Sequence, residues 1–158
     1  MTKESKIAIL NGIINVAVTV LFIYLAMRGI DDLTGTYKID ETVRNTKELR
    51  IALEKYYQLA GNYPELTKPG ANIDLHILDY IDKNGKRISF AEIYGRKSLA
   101  KTYGNNQIIA SNDVYDVQDF KNVNFNGGWN YNYSQKTGEI HPNLPEDIYI
   151  EKVNWNKQ

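Results

Sequence analysis

A chain of 158 residues is about one domain's worth, and its 19 Lys and Arg against 19 Asp and Glu leave no basic field for a nucleic-acid backbone, so no nucleic-acid partner is expected. The absence of cysteine excludes disulfides and thiolate chemistry, and a zinc site on the two histidines, His76 and His141, would have to lean on carboxylates. Twelve tyrosines and abundant asparagine suit a half-buried β surface with many turns better than a catalytic centre.

The first element follows a short polar tail, residues 1–6. From Ile7 to Met27 no residue is charged, and at about 1.5 Å per residue a helix of that length crosses a hydrocarbon core of roughly 30 Å. A secretory signal has a shorter apolar core and a small-x-small cleavage site, which Leu25-Ala26-Met27-Arg28 does not supply. A single transmembrane helix over 7–27 is therefore expected. Lys3 and Lys6 on one side balance Arg28, Lys38 and Arg44 on the other, so basic residues do not orient it. The short tail favours a cytoplasmic N-terminus with the folded part across the membrane.

Inside this span Asn11, Asn15 and Thr19 recur every fourth residue and share one helix face, with Gly12 beside them and Ala8 one turn earlier. An asparagine in hydrocarbon needs a partner for its amide, and small residues let helices approach closely. The stripe predicts contact with another transmembrane helix. For Asn11 a place at the membrane interface is an equal reading; Asn15 lies deeper.

Gly29 and Gly35 are candidate kink or break points in a continuation helix over 28–60. Ile39, Val43, Thr46, Leu49, Leu53, Tyr56 and Ala60 follow at steps of three and four, which predicts an amphipathic helix. Arg44 with Glu48, and Arg50 with Glu54, read as i,i+4 pairs on its solvated face. Gly61-Asn62 stops the helix and Tyr63-Pro64 turns the chain away.

The remainder, 61–158, reads as a globular head. Ile73 to Ile81 fits either a short helix or a strand, Ser89 to Tyr103 is ambiguous, and Lys83-Asn84-Gly85-Lys86 is a turn. With Arg87, Arg96 and Lys97 that turn forms the nearest thing to a basic patch. Trp129, Tyr131 and Tyr133 alternate with polar residues, and Lys136-Thr137-Gly138 turns into Glu139-Ile140-His141, which predicts a β-hairpin. Tyr149 to Val153 is a candidate further strand. The aromatic row is expected to pack on Leu49, Leu53 and Tyr56, although it could also serve as a glycan or peptide platform. No phosphate loop or nucleophile motif is present, and no cofactor is expected. Calcium on the carboxylates of Asp113 to Asp119, or around Glu146 and Asp147, is chemically feasible but lacks a regular ligand spacing.

Taken together, the apolar helix running into an amphipathic one, Gly61-Asn62-Tyr63-Pro64, Gly127-Gly128-Trp129-Asn130-Tyr131-Asn132, and Thr137-Gly138-Glu139-Ile140 with Pro142-Asn143 resemble the type IV pilin-like proteins, and most closely the pseudopilins of type II secretion. The resemblance covers most of the chain, with 65–122 matching only in outline. It implies an α+β fold in which a long N-terminal helix packs on a small antiparallel sheet. It also implies a structural, non-enzymatic role in a bacterial filament, with Asn11, Asn15 and Thr19 buried among the helices of other pilin-like subunits. The family's processing signature, a glycine followed by Phe-Thr-Leu-Ile-Glu, is missing, so the chain reads as a divergent, minor subunit. A membrane-anchored binding or sensor module with the same head is the alternative.

Overall fold

The computed structural model describes residues 3–105, 107–149 and 152–158. The chain divides into two compact units, Met1–Thr36 and Tyr37–Gln158. Its first element, helix α1, runs over Lys3–Ala60 and so contributes to both. The layout is α+β, a long helix whose N-terminal part is apolar, followed by small sheets.

Gly29 and Gly35 do not break α1. Glycine lowers helix propensity by about 1 kcal/mol but, unlike proline, keeps its N–H and clashes with nothing in the preceding turn. The hydroxyls of Thr34 and Thr36 bond back to the carbonyls of Ile30 and Asp32 within the same stretch. The helix ends where its sequence stops it. Gly61 takes a left-handed φ of +72° and its N–H closes the last turn on Tyr57 O at 2.8 Å, after which Pro64 cannot extend the helix.

Short elements follow in the Tyr37–Gln158 unit. A 3-10 turn over Leu75–Leu78 leads into β1 (Tyr80–Ile81), which pairs antiparallel with β2 (Arg87–Ile88). Between them Asp82 Oδ1 accepts the N–H groups of Asn84 and Lys86, both at 2.8 Å. Helix α2 (Phe90–Tyr94) is capped by Ser89 and ended by Gly95 in the left-handed region. Then come β3 (Val114–Asp116), β4 (Trp129–Tyr131), β5 (Ile140–Pro142) and a 3-10 turn at Trp155–Lys157.

The main sheet has the order β3-β4-β5 and is mixed, not antiparallel. The expected hairpin is its β4-β5 half, with Trp129 opposite Pro142 and Tyr131 opposite Ile140. The other half, β3 beside β4, is parallel, with Val114 opposite Trp129. Strand direction follows from where loop 117–128 delivers the chain, and a three-residue strand has no pattern that encodes it. Tyr149 to Val153 includes Ile150 and Glu151, which lie outside the described residues; Val153 N–H donates to Glu146 O at 2.9 Å, and no strand forms among the described part.

The core is laid on one face of α1. Thr42, Asn45, Thr46, Leu49, Ala52, Leu53 and Tyr56 are buried at steps of three and four. Leu49, Leu53 and Tyr56 share a cluster with Phe90, Trp129, Tyr131 and Ile140, and Tyr133 packs at its edge. A second cluster, Leu144, Ile148, Tyr149 and Trp155, covers Ile39 and Val43.

Burial pushes the Tyr56 hydroxyl up to about 12, with the charges of Tyr80 and Asp79 adding to it, and pushes Tyr131 up further still. Burial also takes Tyr149 to about 12, against a hydrogen bond from Thr42. A tyrosine whose folded pKa exceeds its ordinary value of 10.0 contributes stability that is complete below that pH and is lost as pH rises toward the folded value. Alkaline titration is therefore expected to unfold the head between about pH 10 and 12, with phenolate absorbance from these rings appearing together with loss of near-ultraviolet dichroism. Complete ionisation of all 12 tyrosines near pH 10 with dichroism intact would contradict this burial.

Candidate functional site

Two regions carry the residues singled out by the sequence. The first is the Met1–Thr36 unit. Among the described residues, α1 contains one stretch long and apolar enough to cross a membrane, near the N-terminus, and none of that window is buried in the protein. Ile13 is 61% exposed and Phe22 68%. An exposed helical stretch of this length and apolar composition is compatible with a membrane anchor.

Asn11, Gly12, Asn15 and Thr19 are all exposed on this helix; of Ala8 only its place in α1 is described. Thr19 Oγ1 donates to Asn15 O at 2.9 Å, so its hydroxyl is satisfied within the helix. The side-chain amides of Asn11 and Asn15 have no hydrogen-bond partner among the described residues. The stripe therefore presents amides at 11 and 15, with Thr19 and Gly12 supplying shape.

The second region is the set of Gly, Asn and aromatic residues in the head. Tyr131 Oη donates to Pro64 O at 3.0 Å, tying β4 to the corner after α1. Tyr63 stacks on Tyr57 with ring centres 4.6 Å apart, and a Cβ at Gly138 would overlap the Tyr63 ring. At Gly128, φ is +77° and a Cβ would overlap Asp113 O, so only glycine allows β3 and β4 to approach here. The Gly128 N–H reaches Thr102 Oγ1 at 2.8 Å, and Trp129 Nε1 donates to Ala100 O at 2.8 Å.

Asn143 is the centre of this network. Its side chain is fully buried. Its Oδ1 accepts Phe125 N–H at 3.0 Å and Asn130 Nδ2 at 3.1 Å. Its Nδ2 donates to Asn124 Oδ1 at 2.7 Å and Gly127 O at 3.1 Å. Trp129 and Tyr131 are each 0% exposed and Tyr133 only partly buried, so the aromatic row is not a surface platform at its first two positions.

Arg50 corrects one expectation. It forms no ion pair with Glu54 among the described residues; its Nε and Nη2 donate to Ile140 O at 3.0 and 2.7 Å, and Nη2 lies 3.0 Å from His141 Nδ1. The carbonyl of Ile140 would otherwise be a buried acceptor without a donor, a larger loss than a surface ion pair can offset. Burial lowers the Arg50 pKa, and the charge of Glu139 works against that. Glu139 Oε1 sits 2.9 Å from His141 Nε2, which donates to it because a carboxylate only accepts, while Nδ1 lies between a donor, Arg50 Nη2 at 3.0 Å, and an acceptor, Trp155 O at 3.1 Å. Arg44 does pair with Glu48, at 3.9 Å, and more closely with Glu41.

The basic patch is partly consumed, since Arg87 pairs with Asp79 and Arg96 with Glu48, each at 2.6 Å. The carboxylates of the Asp113 to Asp119 stretch hold the protein's own groups. Asp113 accepts from Asn72 and Ser111, Asp116 from the N–H groups of Tyr133 and Ser134, and Asp119 from Lys121 N–H and Asn122. Glu146 and Asp147 are exposed. Among the described residues no three His, Asp or Glu side chains gather as metal ligands.

Comparison with protein-family models, with curated proteins and with solved structures gives no match for this chain.

Proposed function

We propose that this chain is a structural subunit, of minor rank, of a pilin-like or pseudopilus filament in a bacterial type II secretion or type IV pilus machine. It is anchored in the cell membrane with its N-terminus cytoplasmic and its head on the far side, periplasmic or extracellular. It assembles with other pilin-like subunits through the N-terminal part of α1. The observation that carries this reading is the amide stripe of Asn11 and Asn15 on an apolar helical stretch that is exposed among the described residues. Lipid tails satisfy the apolar residues, but only another polar group satisfies the amides. In the head, Tyr131 Oη ties β4 to the corner at Pro64, and Asn143 Nδ2 closes the Gly127-to-Asn143 segment on Gly127 O, which supports the same reading.

The cysteine-free sequence permits a clean test. A single cysteine at 15 is expected to cross-link in membranes to a neighbouring pilin-like helix, whereas one at 13, on another face of the helix, is not. Asn15→Leu is expected to reduce assembly by roughly threefold to tenfold, with the melting of the head unchanged. Equal cross-linking from 13 and 15, or full assembly of the leucine variant, would sink the proposal.

A further inference from the structure

We propose that the head carries a saccharide-binding cleft beside the end of α1, walled by Tyr57, Tyr63 and Tyr133 and rimmed by Asn62, Ser134 and Lys136. All six residues lie in the Tyr37–Gln158 unit, so the cleft is independent of assembly through the N-terminal stripe. Its volume is about 430 Å³, within the range of sites that take small molecules. Past Asn62, Tyr63 and Tyr133 it opens into a shallower hollow that reaches Tyr80.

The walls are held in place before any ligand arrives. Tyr63 is fixed between the Tyr57 ring and the Gly138 backbone, and Tyr133 stacks at 6.1 Å on the buried Tyr131. Asp116 Oδ1 accepts both Tyr133 N–H and Ser134 N–H at 3.1 Å, which fixes the loop that carries them. Two residues on, Lys136 has a left-handed φ of 60° and its N–H bonds Tyr133 O at 2.9 Å. A glycine would take that conformation without strain, and strained non-glycine residues gather at ligand sites. What lysine adds is an ammonium group at the rim.

The chemistry of the lining selects the ligand. A phenol ring carries partial negative charge on its face, which attracts the polarised C–H groups on the face of a sugar ring. Ser134 Oγ, Lys136 Nζ, Asn62 Oδ1 and the three tyrosine hydroxyls have no partner in the protein among the described residues, and Asn62 Nδ2 reaches only Tyr63 O, at 3.3 Å. Most of these groups both donate and accept, as sugar hydroxyls do. Among the described residues no carboxylate lines the cleft itself, although Glu54 lies beside Tyr63 and Glu65 in the adjoining hollow, and Lys136 at the rim favours a sugar that bears one. Proline-rich peptides also use tyrosine-lined grooves, but proline has no N–H and would leave the rim's acceptors unpaired.

The test uses the full-length chain in lipid nanodiscs. Chitotriose, cellotriose and tri-galacturonic acid are titrated to about 10 mM, with deca-proline as the rival, followed by calorimetry and by the ring resonances of Tyr57, Tyr63 and Tyr133. At least one trisaccharide is expected to bind saturably and to shift those rings. Tyr57→Ala, at a position 43% exposed, is expected to weaken that binding by about tenfold. Lys136→Gly is expected to keep the head's melting temperature while lowering affinity for tri-galacturonic acid relative to cellotriose. Saturable binding of none of the three, binding unchanged in both variants, or ring shifts from deca-proline alone would overturn the proposal.

Discussion

Trp129→Ala is expected to destabilise the Tyr37–Gln158 unit by about 3–5 kcal/mol, or on the order of 10 to 20 °C in Tm for a unit of this size. Trp129 is 0% exposed, at the centre of the cluster that joins α1 to the sheet. Truncation leaves a cavity in the cluster that also holds Leu49, Leu53 and Ile140, and it deprives Ala100 O of the indole N–H that now reaches it at 2.8 Å. Trp129→Phe is expected to cost less, about 1–3 kcal/mol, since it keeps an aromatic ring in the cluster while losing the indole N–H and part of the ring volume. The chain has two tryptophans, so in either variant the fluorescence of Trp155 alone reports denaturation of the full-length protein. A loss below about 1 kcal/mol in the alanine variant would show that the indole is not the centre of the core.

The second large effect is expected at Asn143. Alanine there removes both acceptors and donors of a fully buried amide, leaving Phe125 N–H, Asn130 Nδ2, Asn124 Oδ1 and Gly127 O without it. A buried polar group stripped of its partner costs about 1–3 kcal/mol. Two of the four, Asn130 Nδ2 and Gly127 O, lie on buried residues, whereas Asn124 and Phe125 are exposed and can turn to water, so a loss of about 2–4 kcal/mol is expected, read from urea denaturation. Asn143→Asp keeps the shape and the acceptor oxygens but sets a carboxylate against Asn124 Oδ1 and Gly127 O. It should be destabilised at neutral pH and recover partly on acidification, because a protonated carboxyl can again donate. Stability of the aspartate variant that does not change with pH would contradict this account.

The helical part of the fold was legible for a physical reason: from Thr42 to Tyr56 one face must be buried, and a period of 3.6 writes that face into the sequence. The N-terminal end of that face was harder to read, because Thr42 and Asn45 look solvated until Tyr103 N–H and Arg96 are seen to use them. Arg50 was misread for the same reason, since charge spacing along a helix says nothing of a carbonyl that arrives from residue 140. The β4-β5 hairpin announced itself through alternation and a glycine turn, while β3 did not, being three residues long and paired in parallel across a loop. At the site level, the amide stripe was visible as a four-residue repeat. The tyrosine cleft was not, because Tyr57, Tyr63 and Tyr133 are separated in sequence and meet only after the chain turns at Gly61.

The distance along the chain between partners sets the order in which this protein can be completed. Arg50 and Ile140 are 90 residues apart, and Tyr131 and Pro64 are 67 apart. Contacts of such long range form late, because loop-closure entropy must be met before they add stability. Seen from a ribosome, the apolar helix is finished while more than half of the head is still unmade. On the membrane-anchored arrangement proposed above, insertion can therefore start on a chain whose later part is still slack, before β5 closes over Arg50.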